Sequence, residues 1–374
     1  MDNNNLYKRY QRQMLLKEIG ETGQQKLLLA KVLVVGAGGL GCPVLQYLTA
    51  AGVGKIGIVD DDIVSLTNLH RQVLYNTNDI GFAKTERAAA ALQSLNPDIK
   101  IIPYNLRLTN QNTLDIINEY DIVVDGTDNF SSRYMINDAC VLLKKPLVYA
   151  AMSRFEGQVA VFNNIDKNNE KPVNYRDLFP VPPAEGEVMN CAVAGVLGVL
   201  TGIIGSMQDN ETIKLIMGIG RPLINRLLTY NALTNQMYEL SLTASDETDS
   251  FIPKDKAAFI NFDYDMACCA NNAFEIDSNK FDAFLNNNNI TIIDVREMDE
   301  QPVITEFPYI HIPLSKLNEK AASLKGDILI TFCQTGARSI QAAKLLNNTF
   351  DSGKKIYSLK GGIINWKSQT AEGA

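Results

Sequence analysis

Short β-branched runs at 32–35 and 56–59 flank a helical segment at 42–51. Further strand-like runs fall at 99–102, 122–124 and 147–149, separated by helical segments such as 84–94. This alternation predicts an α/β fold, a mostly parallel sheet with helices on both faces. The pattern breaks after Leu242. Residues 243–272 turn polar and irregular, opening on Thr-Ala-Ser-Asp-Glu-Thr-Asp-Ser, and read as a linker between a domain at 1–242 and one at 273–374. The second domain is a smaller α/β unit with strands expected at 290–295, 328–332 and 355–358, and the asparagine run at 286–289 reads as a loop. No internal repeat is apparent. The stretch 192–207 is the most membrane-like. Its glycines at 195, 198, 202 and 205 suit close packing, so a buried helix is expected there and not a span.

Composition narrows the class. A chain of 374 residues is long for one core, which agrees with two domains, and 46% hydrophobic with 21% charged residues is ordinary for a soluble globular protein. A net charge of −7 argues against a general nucleic-acid binder. The opening Met-Asp-Asn-Asn-Asn lacks a basic, then apolar, signal-peptide pattern, and no membrane association is expected. Six irregularly spaced cysteines do not read as a disulfide framework, so a cytoplasmic location with reduced thiols is expected.

The first candidate chemistry is Val-Leu-Val-Val-Gly36-Ala-Gly38-Gly39-Leu-Gly41, a strand breaking into a G-x-G-x-x-G turn that opens a helix. Glycines let backbone amides approach phosphate, and the helix N-terminus adds partial positive charge. Asp60 ends the next strand, where an acid can bind ribose hydroxyls. The turn alone fits an NAD-dependent oxidoreductase equally well. Polar and cationic residues on either side of it favour ATP: Thr67-Asn68-Leu69-His70-Arg71-Gln72, Lys84, and upstream Arg12 put cations where a triphosphate's charge would build up. Asp128, beside Asn129 after another strand, could hold Mg²⁺. No G-x-x-x-x-G-K-[ST] segment is present, which excludes a Walker-type ATPase.

Together Arg-Tyr-x-Arg-Gln, Gly-x-Gly-Gly-Leu-Gly, Asp60, Thr-Asn-Leu-x-Arg-Gln, Lys84 and Thr-Asp-Asn resemble the MoeB/ThiF family, bacterial relatives of ubiquitin-activating enzymes, over residues 6–242. The resemblance implies a Rossmann-like adenylation domain of the ubiquitin-activating type. It also implies an ATP site lined by Gly39, Asp60, Asn68, Arg71, Lys84, Asp128 and Asn129, with Arg12 reaching in from the partner subunit of a homodimer. The implied reaction is attack of the terminal Gly-Gly carboxylate of a ubiquitin-like sulfur-carrier protein on the α-phosphate of ATP. By the same resemblance Cys191 falls where the family carries a cysteine able to take up or relay the acyl group; a small buried cysteine is the plainer reading. The family often binds structural zinc through two Cys-x-x-Cys pairs. The first pair would fall at Asn174 and Asp177 and the second near 242–255, where no cysteine stands, while Cys268 and Cys269 are adjacent and poorly spaced, so zinc is not expected.

In the second domain Cys333-Gln-Thr-Gly336-Ala-Arg338-Ser339 follows a strand and precedes a helical run. Backbone amides of such a loop and the helix N-terminus would stabilise a thiolate or persulfide, and Arg338 adds a positive charge. The C-x4-R spacing is one residue tighter than the C-x5-R cradle of cysteine phosphatases and suits a single sulfur atom. With Asp294-Val-Arg296, His311-Ile-Pro-Leu and Gly362…Trp366, it resembles a rhodanese domain over 274–366. His311 is assigned to the scaffold and His70 to the edge of the ATP site.

The expected activity is therefore ATP-dependent adenylation of a sulfur carrier followed by sulfur transfer from Cys333 to give a thiocarboxylate, sulfur arriving from a cysteine desulfurase or another donor. An NAD-dependent oxidoreductase and a non-catalytic redox or interaction module are the alternatives. Molybdopterin, thiamine and tRNA-thiolation pathways all use such carriers, and the residues do not separate them.

Overall fold

The computed structural model describes residues 3–165, 171–180, 182, 195–264, 275–285, 289–298, 300–350 and 354–371. Described residues up to 264 form one compact unit and those from 275 onward a second.

The first unit is built on an eight-stranded sheet. Its strands are β1 (Lys31–Val35), β2 (Lys55–Val59), β3 (Lys100–Tyr104), β4 (Ile122–Asp125), β5 (Leu147–Ser153), β6 (Glu156–Phe162), β7 (Arg226–Asn231) and β8 (Gln236–Ser241), in the order β3-β2-β1-β4-β5-β6-β7-β8. From β3 to β5 all neighbours are parallel; from β5 to β8 all are antiparallel. The helices are α1 (Asn3–Met14), α2 (Gly20–Leu29), α3 (Gly41–Ala51), α4 (Lys84–Leu95), α5 (Thr113–Asn118), α6 (Phe130–Leu143), α7 (Tyr175–Leu178), α8 (Gly198–Met217) and α9 (Lys256–Asn261). β1 reads Lys-Val-Leu-Val-Val because it is covered on both faces. Val32 and Val34 enter a core shared with Leu45 and Leu48 of α3, Leu92 of α4 and Met217 of α8, while Leu33 on the other face is also fully buried.

Two expectations from sequence differ here. The helix expected at 192–207 begins at Gly198 and runs on to Met217. Gly195 takes a left-handed φ of +74° and Leu197 is extended, so residues 195–197 are not part of the helix; residues 192–194 lie outside the described residues. Polar Gln208, Asp209, Glu211 and Thr212 hid the second half of this helix, yet all four are buried. The expected linker differs as well. Over 243–264 the chain packs on the first unit through a 3₁₀ turn (Glu247–Phe251) and α9, with Phe259 fully buried. Its polar residues meet acceptors on the first unit: half-buried Asp177 takes hydrogen bonds on Oδ1 from the Ser245 amide (3.0 Å) and Thr248 Oγ1 (2.5 Å), and Tyr264 donates to buried Asp138 Oδ2 (3.0 Å). Asp177 Oδ2 in turn accepts from Asn174, closing a capping box at the start of α7.

Asp209 is buried, and its Oδ1 has no hydrogen-bond partner among the described residues. Burial pushes its carboxyl well above the usual range. A carboxyl protonated in the fold but ionised in the unfolded chain costs stability as pH rises above the unfolded value of about 3.9. Asp209→Asn should therefore raise Tm, by about 3 °C at pH 8 and by less at pH 5. A Tm difference that does not grow between those pH values would refute this.

The second unit has a five-stranded parallel sheet in the order β11-β10-β12-β13-β9, from β9 (Glu275–Ile276), β10 (Ile290–Asp294), β11 (Ile310–His311), β12 (Ile328–Phe332) and β13 (Lys355–Leu359). Helices α10 (Ser278–Leu285), α11 (Leu314–Lys320), α12 (Ala337–Phe350) and α13 (Gly362–Ala371) complete it. Two apolar clusters line the sheet, one around Leu317, Leu329 and Leu346, the other around Phe281, Phe307 and Trp366. No helix among the described residues is long and apolar enough to cross a membrane.

Candidate functional site

In the first unit the strand order reverses between β1 and β4, and in an open parallel sheet the crevice beyond the strand ends at that point receives the ligand. Both loops at this crevice carry candidate residues. After β1, Gly36 has φ +94°, and a Cβ there would stand 2.8 Å from the Gly126 carbonyl oxygen of the loop after β4. A Cβ on Gly41 would lie 1.9 Å from the Gly36 oxygen, so the turn closes only with glycine at both positions. Gly38 is open, its nearest neighbour Gln72 Nε2 at 3.6 Å, whereas Gly39 packs tightly on Thr201 and Met152.

Around this loop Asp60 bridges two segments. Its Oδ2 accepts from the Ala37 amide (2.7 Å) and its Oδ1 from the Asp62 amide (2.9 Å). Burial raises its carboxyl and the nearby Lys84 opposes that. Lys84, the first residue of α4, is buried and pairs through Nζ with Asp62 Oδ2 at 2.7 Å. Thr67 and Asn68 sit in a 3₁₀ turn (Leu66–Asn68), Leu69 packs on the core, and Gln72 is buried beside Gly38 with Oε1 unpartnered among the described residues. Arg71 Nη1 donates to the Thr67 carbonyl (3.0 Å) and meets exposed His70 Nε2 at 2.8 Å. Thr201 of α8 donates to the Arg71 carbonyl (3.2 Å), so one side chain ties this segment to the glycine turn.

Asp128 is exposed, and neighbouring Asn129 caps α6 by accepting from the Ser132 amide (2.9 Å). Asp125, not singled out from sequence, is fully buried at the end of β4. It accepts from Thr127 through backbone (2.9 Å) and hydroxyl (2.6 Å), and its Oδ2 faces Arg133 Nε at 3.7 Å. Burial raises this carboxyl against the pull of Arg133. Within this chain Arg12 is not brought to the crevice. It is exposed on α1, whose Tyr10 and Gln13 bond to Asn96 and to the Ala51 carbonyl, beyond the C-terminal ends of α4 and α3. The 11 residues of α3 put that end roughly 16 Å from the glycine turn.

The residues fit a nucleotide: an open glycine, a helix N-terminus, a buried Gln72 oxygen unpartnered among the described residues, and cations at 71 and 84, with an exposed acid at 128. Cys191 lies outside the described residues.

In the second unit Cys333 directly follows β12 and is 1% exposed. Its sulfur accepts from the Gly336 amide at 3.1 Å. Gly336 has φ +100° and abuts Gly361, and a Cβ on Gly362 would collide with the Cys333 and Gln334 carbonyls, which instead accept from Ile363 (2.9 Å) and Ile364 (3.2 Å). Ser339 donates to the Gly336 carbonyl (2.8 Å), locking the loop from below. Arg338 does not point free into the loop: Nη1 and Nη2 bind Glu300 Oε1 and Oε2 at 2.5 and 2.6 Å. Glu300 was not anticipated, because it lies 38 residues away in an irregular segment without a motif. His311 Nε2 lies 2.9 Å from the Arg296 carbonyl oxygen, to which it donates as part of the scaffold.

The fold and sites thus define a two-unit protein, a doubly wound sheet with a switch-point crevice and a parallel sheet presenting a cradled cysteine. The chain belongs to the ThiF family, whose model matches residues 10–250, and a rhodanese-like domain model matches 277–369. It is an enzyme of the adenylyltransferase and sulfurtransferase class, and the adenylyltransferase family implies use of ATP. It is 52% identical to the "Sulfur carrier protein adenylyltransferase" of Thermus thermophilus, over 63% of this chain and 86% of that one. It is 39% identical to the "Probable adenylyltransferase/sulfurtransferase MoeZ" of Mycobacterium tuberculosis, over 96% of this chain and 93% of that one. The "Adenylyltransferase and sulfurtransferase MOCS3" of Xenopus laevis is 36% identical, covering 96% and 85%. A crystal structure of E. coli MccB with AMPCPP and MccA superposes with a TM-score of 0.56 at 23% identity, covering 66% and 73%, a likeness of fold alone.

Proposed function

We propose that the first unit adenylates the C-terminal Gly-Gly carboxylate of a ubiquitin-like sulfur-carrier protein and that the second supplies sulfur to the activated acyl carbon. One observation carries the reading: a single chain holds both a switch-point glycine turn, with Asp60 on the Ala37 amide and Lys84 paired nearby, and a cysteine loop whose amide faces the sulfur. The name of the Thermus relative, a sulfur carrier protein adenylyltransferase, supports the carrier as substrate.

In this reading Asp60 orients the ribose, and Arg71 and Lys84 bind the phosphates, Lys84 exchanging Asp62 for phosphate oxygen. Asp128 would hold Mg²⁺, which when bound neutralises phosphate charge. A carboxylate oxygen of the carrier attacks the α-phosphorus and pyrophosphate leaves, its charge met by Arg71, Lys84 and Arg12 of the second copy in a homodimer. The terminal sulfur of a Cys333 persulfide, loaded by a cysteine desulfurase or another persulfide donor, then attacks the acyl carbon and AMP departs. A second thiol, Cys191 in this reading, attacks Cys333 sulfur, freeing the thiocarboxylate and leaving a disulfide that an external thiol reductant reopens.

ATP–pyrophosphate exchange tests the first half. Exchange is expected with a carrier ending in Gly-Gly and is lost when its last glycine is deleted. No exchange with any Gly-Gly carrier would sink the reading.

A further inference from the structure

Two arginines near the sulfur loop sit in closed pairs. Arg296 is 2% exposed and is consumed by Asp294, with its Nε and Nη2 on the carboxylate at 2.7 to 3.1 Å. Arg338, the cation of the loop itself, has both terminal nitrogens on the two oxygens of Glu300. Glu300 is further fixed by the Glu297 amide, which donates to Oε1 at 2.8 Å. Arg338 holds that carboxyl down to about 2, so the pair stays ionised at neutral pH. A bidentate guanidinium–carboxylate pair uses the same planar fork that would grip an incoming oxyanion. The sulfur accepts from the uncharged Gly336 amide, and the Arg338 charge that also reaches it is held first by Glu300.

From this geometry we infer that Glu300 is a specificity-determining residue of the sulfur site: by occupying Arg338 it cancels the loop's positive charge and selects against small dianionic sulfur donors, in favour of donors of low charge such as alkyl persulfides. The inference rests on the sulfur-transfer reading above. With thiosulfate, the Cys333 thiolate attacks the outer sulfur, the bond to the sulfite sulfur breaks, and sulfite leaves with the bonding pair. That dianion meets a loop arginine whose charge Glu300 already offsets. With a persulfide donor the thiolate attacks the terminal sulfur and a thiolate leaves, so less charge needs holding.

The electrostatic claim is measured directly by alkylating Cys333 in the full chain with anionic iodoacetate and neutral iodoacetamide, read by mass spectrometry of its peptide. Glu300→Gln keeps the shape and frees one positive charge, so the iodoacetate-to-iodoacetamide rate ratio should rise about tenfold. Arg338→Gln should lower the ratio, and the double variant should return near wild type. KM for thiosulfate should fall about tenfold in Glu300→Gln with kcat little changed, and 0.5 M salt, a test condition of roughly 4 Å screening length, should erase the gain. A ratio that Glu300→Gln leaves unchanged, or raises equally when Arg338 is already Gln, overturns the inference. The alkylation ratio decides it even if the wild type moves no sulfur, an outcome that would instead refute the sulfur-transfer reading.

Discussion

Cys333→Ala is expected to reduce thiosulfate-to-cyanide sulfur transfer to background while leaving carrier-dependent ATP–pyrophosphate exchange within about twofold of wild type. The sulfur has no substitute nearby: among the described residues the other cysteines, Cys42 and Cys140, are buried, with burial pushing Cys42 up to about 12 and Cys140 higher still. Thiols so protonated are poor nucleophiles. The exchange reaction is expected to survive because every residue proposed for it lies in the other compact unit. Sulfur transfer persisting in Cys333→Ala would refute the assignment, and parallel loss of exchange would argue against separate chemistry in the two units.

Lys84→Ala should cost about 10²–10³-fold in exchange, the usual size of removing one preorganised donor from a developing oxyanion. Its ammonium is buried, so the loss removes a charge that bulk water cannot replace. The present partner, Asp62, has a side chain 71% exposed and can be released to solvent when phosphate arrives. Exchange unaffected by Lys84→Ala would favour a nicotinamide-type role for the glycine turn instead. Mixing this variant with Arg12→Ala also tests the homodimer: if Arg12 completes the partner's site, some mixed dimers regain one intact site, and activity that never recovers on mixing speaks against it.

Much of this architecture was readable from local pattern. The parallel strands β1, β2, β4 and β12 announced themselves because each is a short apolar run buried on both faces. The glycine turn was readable because Gly36 and Gly41 are demanded by backbone contacts that no other residue tolerates. Long-range polar pairing was not readable. Nothing near Glu300 in sequence points to Arg338, nothing marks Thr201 as the tie between the glycine turn and Arg71, and β8 is exposed at every position. The 243–264 stretch misled for the same reason, since its serines, threonines and acids resemble solvated loop until Asp177, which accepts from Ser245 and Thr248, and Lys171, which donates to Asp249, are seen.

The backbone contact between Gly36 and Gly126 also has an evolutionary consequence. Because the two crevice-forming turns abut without any intervening side chain, neither can be lengthened or redirected alone; a change in one must be matched in the other. On the proposed nucleotide reading, drift in nucleotide preference, or its deliberate redesign, would fall on exposed residues such as Thr67, His70 and Asp128, where side chains can be exchanged without dismantling the junction.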